Sequence, residues 1–360
     1  MELAADYTKT FAKKHTVSGL VAFTGREFLD GNASTVQLSL PSRNISLAGR
    51  FNYDYDNRYF VETNFGYNGS ERFAKENRFG FFPSFGVGWL VSNEAFFKSE
   101  TISRLKFRAS FGWVGNDQIG NNRQDRFFYL SEVDINAGGR GYTFGRDLNG
   151  VSISRYANPL VTWETAEKAN IGVDLNLFND AVQFRADVFQ DNRSNILQTR
   201  ADIPTTLGLQ TSIQTNVGEV ELQGVDASLD INHYFSEDFW LTGRATFVYS
   251  DNEYTVYEEP DFAQIGAPWR SNIGNNVSTS QGYIAERLFV DALNSPTQFG
   301  TPGIDYGGGD IKYKDLNGDG TITTLDRAAI GKPYVPKITY GFGLSAGYKR
   351  LDVSLFFQGL

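Results

Sequence analysis

The sequence predicts an all-β protein: an antiparallel, up-and-down transmembrane β-barrel with its polar face inward, of which these 360 residues form a partial wall. Three observations lead there. Apolar and polar residues alternate with period two, in runs of about 10 residues that suit a tilted membrane crossing better than a soluble strand. Short links alternate with long ones, the order produced by tight turns on one side of a membrane and long loops on the other. Aromatics make up 15% of the chain, with 30 Phe, 18 Tyr, 37 Gly and a single Met. That usage favours strands and interfacial girdles over helical bundles.

The strands follow in order. The two first, near residues 2–12 and 15–24, carry the weaker alternation. Ile45, Leu47, Phe51 and Tyr53 then share a face opposite Ser46, Arg50 and Asn52. Tyr59, Val61, Thr63, Phe65 and Tyr67 oppose Glu62, Asn64 and Asn68. Phe85, Val87, Trp89 and Val91 form the next run, and Leu105, Phe107, Ala109, Phe111 and Trp113 the one after. In the second half Ile171, Val173, Leu175 and Leu177 are followed by Val182, Phe184, Ala186 and Val188. Val225, Ala227, Leu229 and Ile231 lead into Phe239, Leu241, Ala245, Phe247 and Tyr249. The last two runs are Ile338, Tyr340, Phe342, Leu344, Ala346 and then Leu351, Val353, Leu355, Phe357, for about twelve strands in all. Short links are expected at Asp54 to Arg58, Asn179-Asp180, Asn232 to Asp238 and Lys349-Arg350, and long ones near 25–42, 115–162, 192–214 and 251–337. Phe356-Phe357-Gln358-Gly359-Leu360 stops inside a strand, so the wall is expected to be incomplete.

Composition narrows the class further. No run of about 18 apolar residues forms a spanning helix, and mean hydropathy is −0.34, as expected where strands hide their apolar residues by alternation. Cysteine is absent, which rules out disulfides and thiolate metal sites. A net charge of −9 argues against nucleic acid as a partner. Met1-Glu2-Leu3-Ala4-Ala5-Asp6 has neither the basic nor the apolar region of a signal peptide, so an upstream segment is expected to be missing.

Five blocks, in shared order over most of residues 43–360, resemble the SusC/RagA family of TonB-linked outer-membrane proteins. They are Arg72-Phe73-Ala74 with Asn77-Arg78-Phe79-Gly80-Phe81-Phe82-Pro83-Ser84 through Trp89; Leu105 to Gly112; and Trp163-Glu164-Thr165 through Asn170-Ile171-Gly172-Val173-Asp174. The others are Asn216-Val217-Gly218-Glu219-Val220 with Gly224-Val225-Asp226, and Gly309-Asp310-Ile311-Lys312-Tyr313 onward to Tyr340. The resemblance implies a 22-stranded barrel holding an N-terminal plug, powered by the TonB complex. It also implies a SusD-like lipoprotein lid, outer-membrane lipid around the barrel, a glycan or peptide as cargo, and a Gram-negative, Bacteroidetes-like host. The plug, the TonB-contacting segment and roughly ten strands have no counterpart here. Function is expected to be import; a passive porin and a secreted β-rich glycan-binding or adhesion protein are the rival readings, and no convergent catalytic site suggests an enzyme.

The sharpest local chemistry is Asp315-Leu316-Asn317-Gly318-Asp319-Gly320-Thr321-Ile322-Thr323-Thr324-Leu325-Asp326. Oxygen ligands at loop positions one, three and five, Gly at six and a carbonyl at seven fit a calcium loop. The expected ligands are Asp315, Asn317, Asp319, Thr321 through its carbonyl, and Asp326, with Ile322 as an apolar anchor. Asp at position twelve reaches less far than Glu. Ile311-Lys312-Tyr313-Lys314 alternates like a strand, so a full EF-hand helix pair is not expected.

Other residues point to structure rather than chemistry. His15 and His233 are the only histidines, each expected in a short turn without ligand-spaced neighbours. Gly307-Gly308-Gly309 lacks a following Lys-Ser/Thr and reads as flexible loop. Glu258-Glu259 and Asp261 read as a solvated acidic loop. Tyr53, Tyr55 and Tyr59 flank one turn, and with Trp89 and Trp113 suggest an interfacial aromatic girdle. Tyr129, Tyr142, Tyr257, Trp269 and Tyr283 lie in long loops where aromatics can stack on sugars.

Overall fold

The computed structural model describes residues 1–33, 36–119, 126–143, 145–146, 148–290, 297–298 and 307–360; parts of the long connections expected at 25–42, 115–162 and 251–337 lie outside them. Twelve strands form one antiparallel sheet in which every strand pairs with its neighbours in sequence. They are β1 (Glu2–Phe11), β2 (His15–Phe28), β3 (Ser42–Tyr55), β4 (Tyr59–Ser70), β5 (Phe79–Leu90) and β6 (Ile102–Asn116). The second half adds β7 (Glu164–Leu177), β8 (Val182–Thr199), β9 (Gln214–Ser236), β10 (Phe239–Val256), β11 (Ile338–Tyr348) and β12 (Leu351–Gly359). Among the described residues no helix is long and apolar enough to cross a membrane.

The strands run longer than the alternation alone suggests. β9 has 23 residues, and β8 and β10 have 18 each, well beyond the 9–11 needed to cross a bilayer, so the wall projects past the lipid. The link expected from Asn232 to Asp238 therefore shrinks to residues 237–238, and the loop expected at 192–214 to residues 200–213. In the extra strand residues apolar side chains such as Leu222 and Val220 fall on the inner face and charged ones such as Glu221 and Glu253 on the outer, so the hydrophobic alternation does not continue through them; their ladder pairing does.

One end of the sheet carries the tight turns. Asp56 (φ 55°) and Asn57 (φ 50°) both take left-handed backbone, and Arg58 N–H donates to the Tyr55 carbonyl at 2.9 Å. Two such residues in succession make the hairpin turn whose twist matches the strands, and Asp and Asn tolerate it best. The opposite end carries the longest connections, two of which contain small strand pairs of their own. These pair residues 132–137 with 150–155, 280–283 with 327–330, and 285–288 with 311–313.

Register keeps the apolar residues of neighbouring strands in common rows. Ala109, Ile171, Val188, Val225 and Tyr249 lie side by side across β6 to β10. Tyr59, Trp89, Phe107 and Val173 form a row nearer the turns. These outward side chains are open: Phe85 is 56% exposed, Ile171 67% and Val188 59%. A water-soluble domain does not leave such a continuous face uncovered. The compact core sits instead beneath the long loops, where Phe73, Ile119, Phe128, Val161 and Trp163 are buried together and Phe82 and Leu197 pack against them.

Candidate functional site

The inner wall is built from the alternate residues of the same strands. Outward positions in the middle of the band carry no Asp, Glu, Lys or Arg, whereas the inner face is laced with ion pairs. Arg50 meets Glu62 at 2.6 Å, and Arg244 meets Asp230 at 2.5 Å. Lys168 pairs with Asp191. Arg108 lies between Asp174 (3.1 Å) and Asp187 (2.8 Å). Gly172 makes that bridge possible, since a Cβ there would stand 2.3 Å from Asp187 Oδ1 and 2.9 Å from the Arg108 guanidinium. Strand periodicity thus separates a lipid face from a polar lumen on one ribbon.

A recess of about 700 Å³ on this inner wall opens toward the long-loop end. Two adjacent rows floor it: Asp191, Leu222 and Asn252, then Arg193, Val220 and Tyr254. Tyr257, just past β10, packs edge-on against Tyr254 with ring centroids 4.7 Å apart. Glu258 closes the rim, accepting from Arg200 Nε at 3.1 Å and from Ala201 N–H at 3.2 Å. Arg200 also donates to Asp202, and that hydrogen bond is the main reason the Asp202 carboxyl is held below its ordinary value. Of the loop aromatics expected to be free for stacking, only Tyr257 belongs to this recess. The sequence offers no local signal for it, because its lining comes from four strands and one loop brought together by register.

The 315–326 loop folds on its own carboxylates. Asp315 accepts from Gly318 N–H and Gly320 N–H, each at 2.7 Å, and Asp319 accepts from Thr321 N–H at 2.8 Å. Asn317 donates to Asp319 at 2.9 Å. Gly318 (φ 74°) and Gly320 (φ 82°) supply the left-handed turns that a Cβ would strain. Asp326, fully buried, closes the loop by accepting from Leu316 N–H and Thr323 N–H, both at 2.8 Å. Ile322 is also fully buried, the apolar anchor that its place in the loop calls for. Side-chain oxygens therefore stand at positions one, three and five, while Asp326 is tied to the backbone behind them. Among the described residues no group of three or more His, Cys, Asp or Glu side chains is gathered closely enough to hold a metal ion.

Several expectations are corrected. His15 and His233 lie in strands β2 and β9, not in turns: His15 Nδ1 and the Tyr53 hydroxyl are 2.8 Å apart, and His233 packs edge-on to Phe235 at 4.4 Å. Gly307 to Asp310 is a hydrogen-bonded turn rather than a flexible stretch, with Asp310 N–H donating to the Gly307 carbonyl at 3.2 Å. Glu259 does not simply face solvent; it accepts from Asn272 N–H at 2.9 Å and from the Ser271 hydroxyl at 2.5 Å. Trp269 is occupied structurally, its indole N–H donating to the Leu325 carbonyl at 2.8 Å. At the turn end, Glu94 accepts from Trp89 at 3.0 Å and Arg58 at 3.1 Å. With a further hydrogen bond from Tyr59, the largest of the three effects, these hold the Glu94 carboxyl below its ordinary value. The aromatics expected as a girdle thus also fasten neighbouring turns.

An uncharged outer band, an ion-paired inner wall, and long loops confined to one end define a segment of an outer-membrane β-barrel. Residues 9–359 match the family described as TonB dependent receptor-like, beta-barrel, and the chain belongs to that family of outer-membrane proteins. Among curated relatives, TonB-dependent receptor P3 of Formosa agariphila is 31% identical over 92% of this chain and 33% of its own length. TonB-dependent receptor SusC of Bacteroides thetaiotaomicron is 28% identical over 88% of this chain and 31% of its own. The solved RagAB peptide transporter shares the fold, with a TM-score of 0.71, 24% identity, and coverage of 99% of this chain and 40% of that one. The resemblance to SusC and RagA is borne out, and the chain spans about one third of the length of the curated relatives it matches.

Proposed function

We propose that the chain is barrel wall of a TonB-powered importer that carries oligosaccharides, or peptides, across the outer membrane beneath a SusD-like lipoprotein lid. The observation that carries this reading is the polar, charge-paired lumen behind an uncharged outer band, with the longest loops all on one side. A rigid paired sheet supplies the channel wall and the loops frame its mouth. Movement of a plug, driven through TonB, would open the path. Kinship with TonB-dependent receptors supports the receptor and transporter role, and likeness to the RagAB peptide transporter supports peptide as an alternative cargo.

The test is uptake of labelled oligosaccharide by cells with and without the gene, each with and without a working TonB complex. Import is expected to need both. Uptake that persists without TonB would replace this reading with a passive porin.

We also propose that the 315–326 loop takes a structural calcium ion through Asp315, Asn317, Asp319 and the Thr321 carbonyl, with Asp326 bracing the ring. Support comes from the alternate oxygen side chains and the left-handed Gly320 at position six. Calcium titration monitored by protease protection of the loop tests it, with Asp315→Ala expected to abolish the protection.

A further inference from the structure

We infer that the recess floored by Asp191, Leu222, Asn252 and Tyr254 is a seat for a neutral, hydroxyl-rich oligosaccharide. The inference rests on the importer reading and goes further, naming the residues on the wall and the charge class of the cargo.

Charge comes first. The recess contains three carboxylates and one guanidinium, but none of the carboxylates is uncompensated. Glu164 pairs with Arg193 at 3.3 Å, Asp191 with Lys168, and Glu258 with Arg200 at 3.1 Å. A charged ligand would have to break one of these pairs and leave its partner exposed to a mismatch, so the recess selects against ionic cargo. Uronic-acid chains and charged peptide termini find no counter-charge waiting.

Shape and polarity come second. Tyr254 and Tyr257 meet at 65°, so that together they line a corner rather than a single flat slot. Leu222 and Val220 extend the apolar surface on the adjoining strand. Sugar rings present C–H faces that lie on such surfaces and hydroxyl edges that both donate and accept. Gln198 and Asn252, also in the lining, spend their side-chain carbonyls on the Glu258 and Val277 N–H groups, at 2.8 and 3.0 Å, and turn amide N–H donors to a sugar hydroxyl, while Gln214 beside them is an amide that can both donate and accept. β7 to β10 are paired on both sides, so the recess offers a peptide no strand edge to extend.

Position comes third. The recess lies on the inner wall toward the loop end, and Glu258 and Arg200 tie the loops that follow β8 and β10 together over its rim. Cargo arriving from the loop side meets it before the ion-paired stretch around Arg108.

The experiment uses the protein purified from outer membrane in detergent and isothermal titration with three probes. These are neutral hexose oligosaccharides (α-glucan, β-glucan and mannan series), an oligogalacturonate of equal length, and a cationic peptide. A neutral oligosaccharide is expected to bind, and Tyr254→Ala or Tyr257→Ala to weaken it about tenfold, while Tyr254→Phe retains it. Lys168→Ala, which leaves Asp191 unpaired, is expected to raise affinity for the cationic peptide without changing that for the neutral sugar. A variant whose barrel fails to fold is recognised by loss of the heat-modifiable band on gels; the Phe variant and Lys168→Ala then carry the test. The inference is overturned if the oligogalacturonate or the peptide binds the unaltered protein more tightly than every neutral sugar. It is equally overturned if no neutral sugar binds, or if binding ignores both tyrosine truncations. TonB-dependent uptake that survives such a failure leaves the importer reading standing, whereas TonB-independent uptake removes that reading whatever the recess binds.

Discussion

Placing one arginine at successive positions on β7 tests the whole assignment of faces. Ile171 sits six residues before Leu177, the last residue of the strand at its tight-turn end. At about 3.4 Å per residue that is roughly 20 Å along the strand, and a tilt of about 45° reduces it to roughly 14 Å of depth. In an apolar band about 25 Å tall, Ile171 is therefore close to the midplane. Its neighbours in the row, Ala109 and Val188, offer no counter-charge. Ile171→Arg is expected to cost about 2–4 kcal/mol, and Leu177→Arg, at the interface, about 0–1 kcal/mol. Asn170→Arg, one residue away but on the lumenal face, is expected to be nearly neutral. Reversible denaturant unfolding in lipid vesicles, followed by tryptophan fluorescence, gives the three values. Equal costs at 170 and 171, or a larger cost at 177 than at 171, would refute the assignment of faces and depth.

Other outcomes follow from the same structure. Because hydrogen bonds, that from Tyr59 foremost, hold the folded Glu94 carboxyl below the ordinary glutamate value, its contribution is fully present above that ordinary value and is lost as pH falls through the lower folded one. Glu94→Gln should therefore flatten the acid side of the stability profile, measured by thermal melting between about pH 6 and 3, and leave the neutral side parallel to the parent. Arg108→Met removes the cation between Asp174 and Asp187; with Arg108 itself 34% exposed to the lumen, a loss of about 1 kcal/mol is expected, recovered when Asp187→Asn is added. Asp326→Ala leaves Leu316 N–H and Thr323 N–H without acceptors, so the loop should become the first site of proteolytic nicking while the melting of the barrel is unchanged. Chelation with EGTA should mimic that nicking if calcium braces the loop.

Sequence alone determined the barrel wall. Alternation such as Tyr59, Val61, Thr63, Phe65, Tyr67 is a local property, because successive residues of a strand point to opposite faces whatever the partner. For the same reason all twelve strands, their order and the side bearing the long loops were legible, as were the tight turn at Asp56-Asn57 and the buried anchor at Ile322. Tertiary structure decided what depends on pairing across strands. Where β8, β9 and β10 extend beyond the apolar band, the alternation breaks, with Leu222 and Val220 inward and Glu221 outward, and the ladder hydrogen bonds reveal the strand. His233 falls in a strand because β9 continues past Ile231 toward its turn, and His15 because pairing with Phe11 and Tyr55 starts β2 there. The Arg108 bridge needs Gly172 on the strand between its partners, and the recess needs Asp191, Leu222 and Asn252 in one row. Those residues are some 30 apart in sequence and become neighbours only through register, which a change of one residue would undo.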